Sequence, residues 1–244
     1  MTICAVLGAL LCLSSTRSAQ SRPQNQPKAQ PKARPFIVCI DPGHPSETAE
    51  GAESGGLSEN TLNWLVAIRL ATRLNALGIQ WVSTKNSLHE RVTNRRRAEI
   101  ANGANIYRTP CAIFIRLHCD EGAGRGFTWY YPDRAARKYG VYGPPREVQL
   151  QSRAAAQTMN SAMIPLLRGS LAPNPIKTDA ATGVGGGQGG VLTGSIFSRV
   201  PTALVEMCFI NKRSDARFIG SSAGQDRMAQ ALASGIVAWQ HAYR

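Results

Sequence analysis

Cys111-Ala-Ile-Phe-Ile-Arg-Leu117, followed at once by His118, is the stretch on which the fold turns. It is apolar but for one arginine, and it is too short and too rich in branched and aromatic side chains for a surface helix. A run of this kind predicts a strand covered on both faces, as in the middle of a parallel sheet. Phe36-Ile-Val-Cys-Ile40 and Ala203-Leu-Val-Glu-Met207 have the same character. Ile79–Thr84 alternates as a strand should, and Gly126–Tyr131 forms an aromatic one. Between these runs the periodicity changes. Leu62, Leu65, Val66, Leu70, Leu74 and Leu77 recur at helical spacing, and Gly78 ends the run as a C-cap glycine. Arg91–Asn102 reads as a basic helix, Arg146–Leu167 as a helix broken or kinked near Pro165, and Gln225–Tyr243 as a closing helix. Strands alternating with helices predict an α/β fold: a single-domain, three-layer α/β/α sandwich with a mostly parallel central sheet. No internal repeat is present.

Working outward, residues 36–244 form the expected folded domain of the 244-residue chain. Cys4–Leu13 is an apolar run of signal-peptide length, too short to span a bilayer as a mature helix. Small and polar residues follow it to Ser18-Ala19, so residues 1–19 read as an export signal, although the usual basic start is missing. A mis-called start codon or a membrane tether is the other reading. A lipoprotein signal at Cys12 is disfavoured because Leu11 before it is not small. Residues 20–35 contain four prolines, four glutamines, four basic residues and no acid, the composition of a solvated spacer that cannot form a core. Of the formal charge of +13, Arg17 and the spacer account for five, leaving +8 on residues 36–244. That surplus favours an anionic partner; with an export signal, the anionic cell wall gains weight over nucleic acid or lipid. The expected location is therefore the periplasm, the cell wall or the exterior, with membrane contact only through an uncleaved signal. A monomer is expected. Cys39, Cys111, Cys119 and Cys208 lie in or beside apolar runs without metal-binding spacing. Buried free thiols are the expectation, and one disulfide stays open.

In open α/β sheets, ligands bind beyond the carboxyl ends of the strands. Three buried-looking strands here end on chemistry. The first runs into Asp41-Pro42-Gly43-His44, the central one stops on His118, and the late one stops on Glu206. Two imidazoles and a carboxylate at one sheet edge suggest a metal site rather than a nucleophile triad. Singly, each has a plainer reading: a lone histidine after a strand is more often structural, and Glu59 in a first helical turn suits the helix dipole regardless of function. Glu206 is harder to explain away, because a carboxylate among Leu204, Val205, Met207 and Phe209 is costly to bury without a cation.

IDPGHP at 40–45, LSEN at 57–60, LHCD at 117–120 and ALVEMCFINKRSD at 203–215 resemble the zinc-dependent N-acetylmuramoyl-L-alanine amidases with an amidase_3 catalytic domain. The resemblance covers residues 36–243 and includes the Arg97–Asn102 helix, Gly124-x-Gly126 and the glycine-rich 183–190 stretch. It implies one zinc ion held by His44, Glu59 and His118, with Glu206 as the catalytic carboxylate. It further implies a peptidoglycan substrate, cut between the lactyl group of N-acetylmuramic acid and L-alanine. Three departures stand out: Pro45 where the family has glycine, Asn60 where it has lysine, and Arg116-Leu117-His118 where it has Ser-Ile-His. Alternation puts Arg116 on the same side as His118, so it either contacts a substrate carboxylate or bridges a neighbouring acid. Two other readings stay open: a zinc peptidase or deacylase on another amide, and a non-catalytic wall-binding module.

Other candidates are weaker. His89 and His241 read as surface residues. Gly183–Gly190 lacks the Lys-Ser/Thr of a phosphate loop and precedes no helix, so a flexible lip beside the cleft is expected. Arg95-Arg96-Arg97 lacks any nucleic-acid recognition motif, and is read as one structural and two solvated arginines. No inserted segment reads as a self-blocking helix, with Arg146–Leu167 the one candidate left open for that role.

Overall fold

The computed structural model describes residues 35–243. The signal expected over 1–19 and nearly all of the spacer expected over 20–35 lie outside them. In chain order the elements are β1 (Ile37–Pro42), β2 (Glu53–Ser54), β3 (Leu57–Ser58), α1 (Glu59–Ala76), β4 (Gln80–Ser83), α2 (Asn94–Ala101), β5 (Ile113–Asp120), β6 (Thr128–Tyr131), β7 (Ala136–Lys138) and β8 (Val141–Gly143). Then come α3 (Arg146–Leu167), β9 (Lys177–Thr178), α4 (Gly183–Gly187), α5 (Thr193–Phe197), β10 (Thr202–Phe209), α6 (Arg213–Ile219) and α7 (Ser222–Ala242). The central sheet has six strands in the order β4-β1-β5-β10-β6-β9. The first four are mutually parallel, while β6 runs against β10 and β9 runs with β6.

The alternation of β5 explains the layers. Ile113, Ile115, Leu117 and Cys119 face a core shared with Leu62, Val66, Leu70 and Leu74 of α1, Met159 and Met163 of α3, and Leu232 and Ile236 of α7. Phe114 points the other way, into a second core with Ile37, Cys39, Ala98, Ala101 and Phe197. One face is thus covered by α1, α3 and α7, the other by α2 and α5, which is the three-layer sandwich. Arg116 and His118 share the second face with Phe114 by strand alternation.

Helix α1 ends as its glycine predicts. Gly78 takes φ 67°, and the amides of Ile79 and Gly78 donate to the carbonyls of Leu74 and Asn75 at 2.9 and 3.0 Å. This Schellman pattern satisfies carbonyls that a helix end would leave unpaired. Helix α3 is unbroken at Pro165: the proline sits in the last turn, where a lost amide bond costs little continuity. Its buried side chains pack on the α7 face, away from the sheet face that carries Arg116 and His118, so it does not block their cleft. The glycine-rich stretch departs from expectation. Gly183–Gly187 is itself a short helix, and Thr193–Phe197 is another. Thr182 caps it through the Gly185 amide at 2.9 Å. A Cβ at position 185 would lie 2.0 Å from the Asp179 carbonyl, so glycine permits the close turn that its poor helix propensity alone disfavours. Cys39, Cys111, Cys119 and Cys208 are buried free thiols.

Candidate active site

The carboxyl ends of β1 and β5 lie side by side, joined by the Gly43 amide donating to the Leu117 carbonyl at 2.9 Å. That register brings His44 and His118 together, their rings edge to face with centroids 4.9 Å apart. Glu59, the first residue of α1, enters from above. Its Oε1 lies 2.9 Å from His118 Nδ1, and its Oε2 lies 3.3 Å from His44 Nε2. One donor atom from each of the three lies within 4.8 Å of the others. Backbone amides fix the carboxylate: Cys119 donates to Oε1 at 3.2 Å and Ala52 to Oε2 at 2.8 Å.

Both imidazoles are oriented from behind. His44 adopts φ 61°, uncommon for a residue with a Cβ, and its Nδ1 lies 3.2 Å from the Ala49 carbonyl. A proton on Nδ1 leaves the Nε2 lone pair facing Glu59, the arrangement a metal-binding histidine needs. The His118 ring rests on Gly43, where an added Cβ would come within 2.4 Å of the ring; Nε2 is buried there without a partner, and Nδ1 is turned to the site. Burial holds the His118 pKa down at about 4, against the opposing pull of Glu59, so the ring is neutral. Burial acts to raise Glu59, yet the imidazoles of His118 first and His44 second bring it below the usual carboxylate range.

Glu206 stands on β10 directly across from His118 in the parallel register. Its surroundings act oppositely. Burial, then the charges of Glu59 and Asp120, push its pKa well above the ordinary value, and Oε2 is buried without a partner. All four residues line one cleft of about 410 Å³, walled also by Arg116, Tyr130, Thr182–Val184 and Thr193.

Beneath the site lies a buried ionic cluster. Asp41 receives Thr84 Oγ1 at 2.5 Å, Arg97 Nη1 at 2.6 Å and Arg116 Nε at 3.1 Å. Burial would raise its pKa, but Arg97 first and Arg116 second hold it far below the usual range. Of the two readings of Arg116, the bridge to a neighbouring acid is therefore present. Arg97 is enclosed while Arg95 and Arg96 are about half exposed, the division expected for that triplet. His89 and His241 are exposed.

The sequence reading passed over Lys85. It is fully enclosed, and its Nζ donates to the carbonyls of His44 and Leu88 and to Asn60 Oδ1 at 2.5, 3.0 and 2.8 Å. Arg97 meanwhile grips the carbonyls of Pro42 and Pro45 at 2.7 and 2.9 Å. Two cations thus hold the turn that presents His44, and Asn60, one of the departures from the family pattern, is the lysine's partner. Lys85 follows strand β4 just as His44 follows β1, so the strand-end rule pointed to it.

Comparison with known proteins settles the family. A model described as N-acetylmuramoyl-L-alanine amidase, Amidase_3, matches residues 38–238. The chain belongs to the N-acetylmuramoyl-L-alanine amidase family. It is 29% identical to the N-acetylmuramoyl-L-alanine amidase Rv3717 of Mycobacterium tuberculosis over 82% of this chain and 85% of that one. It is 26% identical to the N-acetylmuramoyl-L-alanine amidase LytC of Bacillus subtilis over 83% of this chain, which spans only 35% of LytC. Among solved structures, the N-acetylmuramyl-L-alanine amidase Ami1 of Mycobacterium smegmatis superposes with a TM-score of 0.67 at 21% identity, over 86% of this chain and 98% of that one. The amidase family is thus a class of hydrolases, as the motifs of the sequence imply, and the fold is the family's.

Proposed function

We propose that the chain is a zinc-dependent amidase that hydrolyses the bond between N-acetylmuramic acid and L-alanine in peptidoglycan. The observation that carries this is the convergence of His44, Glu59 and His118 within 4.8 Å, with Glu206 on the adjoining strand. Two imidazoles and one carboxylate are the donor set of zinc hydrolases, which use three protein ligands and leave a position open. The donors fit a cation on their own geometry: His44 has its tautomer fixed from behind, His118 is kept neutral, and Glu59 is kept ionised. Zinc held there would supply Lewis acidity to the scissile carbonyl and the attacking water, and its charge would favour ionised Glu206.

The protein's own part follows from the cleft. The ionised carboxylate of Glu206 accepts the proton of the water, then delivers it to the departing amine nitrogen, since an amide nitrogen leaves poorly unless protonated. The apolar surroundings of Glu206 make its carboxyl a willing proton carrier, because burial weakens its preference for charge. Lys85, Arg97 and the Ala49 carbonyl hold the His44 turn so that little rearrangement accompanies the reaction. The reading extends to an exported monomer acting on the wall; the surplus of positive charge on residues 36–244 supports the anionic wall as its partner.

Digestion of purified peptidoglycan by the protein, with and without a chelator, followed by mass spectrometry, tests this. Stem peptides with a free L-alanine amino terminus, released only when zinc is present, are the expected product. Bound zinc with cleavage of a different amide would instead support a peptidase or deacylase, and no bound metal at all would leave only a wall-binding role.

A further inference from the structure

Arg116 carries more hydrogen-bonding capacity than the protein uses. Its Nε donates to Asp41 Oδ2 at 3.1 Å and its Nη2 to Asn94 Oδ1 at 2.8 Å, while Nη1 has no partner in the described residues. The side chain is about nine-tenths enclosed, yet Nη1 is not among the sealed atoms that lack a partner. It therefore keeps contact with the cleft whose wall Arg116 forms. Gly194 packs on the guanidinium, where a Cβ would come within 2.8 Å of Cζ, and Phe114 lies on its other side at 5.8 Å. The fork is held rigid.

The charges do not balance either. Asp41 is one anion shared by two enclosed guanidiniums. Arg97 spends its remaining donors on the carbonyls of Val92, Pro42 and Pro45, leaving Arg116 as the member that faces outward. Asp179 and Glu206 both feel the charge of Arg116, but Asp179 accepts the Leu192 amide at 3.0 Å and neither carboxyl makes a hydrogen bond to Arg116. A held, partly desolvated guanidinium edge with an uncommitted nitrogen is suited to a carboxylate.

We propose that Arg116 forms a subsite for a carboxylate on the peptide side of the scissile amide. Strand spacing places Arg116 about 7 Å from His118 on the same face. An extended peptide covers that distance in about two residues, so the carboxylate belongs to the residue after alanine. The inference rests on the amidase reading for the direction of the substrate, and it makes Arg116 a specificity residue rather than a catalytic one.

Two tripeptides test it by calorimetry on the zinc-loaded protein: L-alanyl-γ-D-glutamyl-L-lysine, with a free α-carboxylate on its second residue, and the same peptide with an α-carboxamide there. The acid is expected to bind about 10- to 100-fold more tightly, the worth of a charge-assisted hydrogen bond. Arg116→Gln should bring that ratio close to one, and Arg116→Lys should keep part of it. The ratio is internal to each preparation, so a loss of folded protein does not mimic the result. Equal binding of the two by the unsubstituted protein, or an unchanged ratio in Arg116→Gln, overturns the proposal. The N-acetylmuramoyl forms of both peptides report on the amidase reading separately. Failure to cleave either, with the binding preference intact, sinks the amidase reading and leaves the subsite standing. Cleavage of both with the preference in KM and not in kcat is the result expected if both hold.

Discussion

Glu59 and Glu206 share one cleft and are driven to opposite protonation states by their neighbours. Glu59 accepts two backbone amides and lies against two imidazoles; Glu206 Oε2 receives nothing. On the proposed reading, the first stays a ligand and the second exchanges a proton. Glu206→Gln keeps the volume and removes the exchange, so kcat is expected to fall by about 10²- to 10⁴-fold while metal content, read by elemental analysis, stays unchanged. Near-normal turnover by that variant would mean the acid/base lies elsewhere. His118→Ala should lose metal and activity together. Gly43 offers a subtler probe, because it carries no side chain that could take part in the chemistry. With a Cβ 2.4 Å from the His118 ring, Gly43→Ala must displace that imidazole. A displacement of about an ångström can cost about 10²-fold in kcat/KM; activity and metal affinity close to normal would show that the Gly43 contact does not position the ring.

At the scale of elements, the strand ends were legible and the short loops were not. Continuous apolar runs fixed β1, β5 and β10 because burial on both faces leaves no room for polar residues, and the polar residue that ends each run is then exposed at one edge. Glu59 was legible only through its motif, since a glutamate in a first helical turn has an ordinary explanation. The β2–β3 hairpin and α4 were not legible: two-residue strands and a helix of four glycines and a valine carry no periodic signal. They exist through contacts with the rest of the fold. Gly55 and Gly56 turn the hairpin at φ 57° and 79°, and Asp179 ties the α4–α5 segment to β9 by accepting the Leu192 amide. That tie has a pH signature. Burial raises the Asp179 pKa to about 6 from 3.8, so between those values the folded state holds a proton that the unfolded state has lost. Stability from this group is full below about pH 4 and declines as pH rises through 6, by up to about 3 kcal/mol. Asp179→Asn keeps an acceptor for Leu192 and removes the titration. Denaturant unfolding at a series of pH values should show the variant gaining on the parent between pH 4 and 7. A constant difference across that range would show that Asp179 titrates normally.

Across the whole molecule, the three donors come from separate parts of the fold: His44 from the end of β1, Glu59 from the start of α1, and His118 from β5. A cation bound by all three joins the sheet to the helical layer, and because an unfolded chain holds no such site, its binding free energy appears as folding stability. At a free zinc concentration about 1,000 times the dissociation constant, the gain is about 4 kcal/mol. For a domain of roughly 210 residues, that corresponds to a rise in Tm of about 8–16 °C. Chelation should reverse it, provided unfolding is reversible over the scan. The variants divide the contributions. Glu206→Gln should show the full chelator-dependent shift, since the proposed ligand set does not include Glu206, while His118→Ala should melt low with or without chelator. If chelation leaves the Tm of the unsubstituted protein unmoved, or moves that of His118→Ala equally, the metal does not sit on these residues, and the ligand assignment fails even if the amidase activity stands.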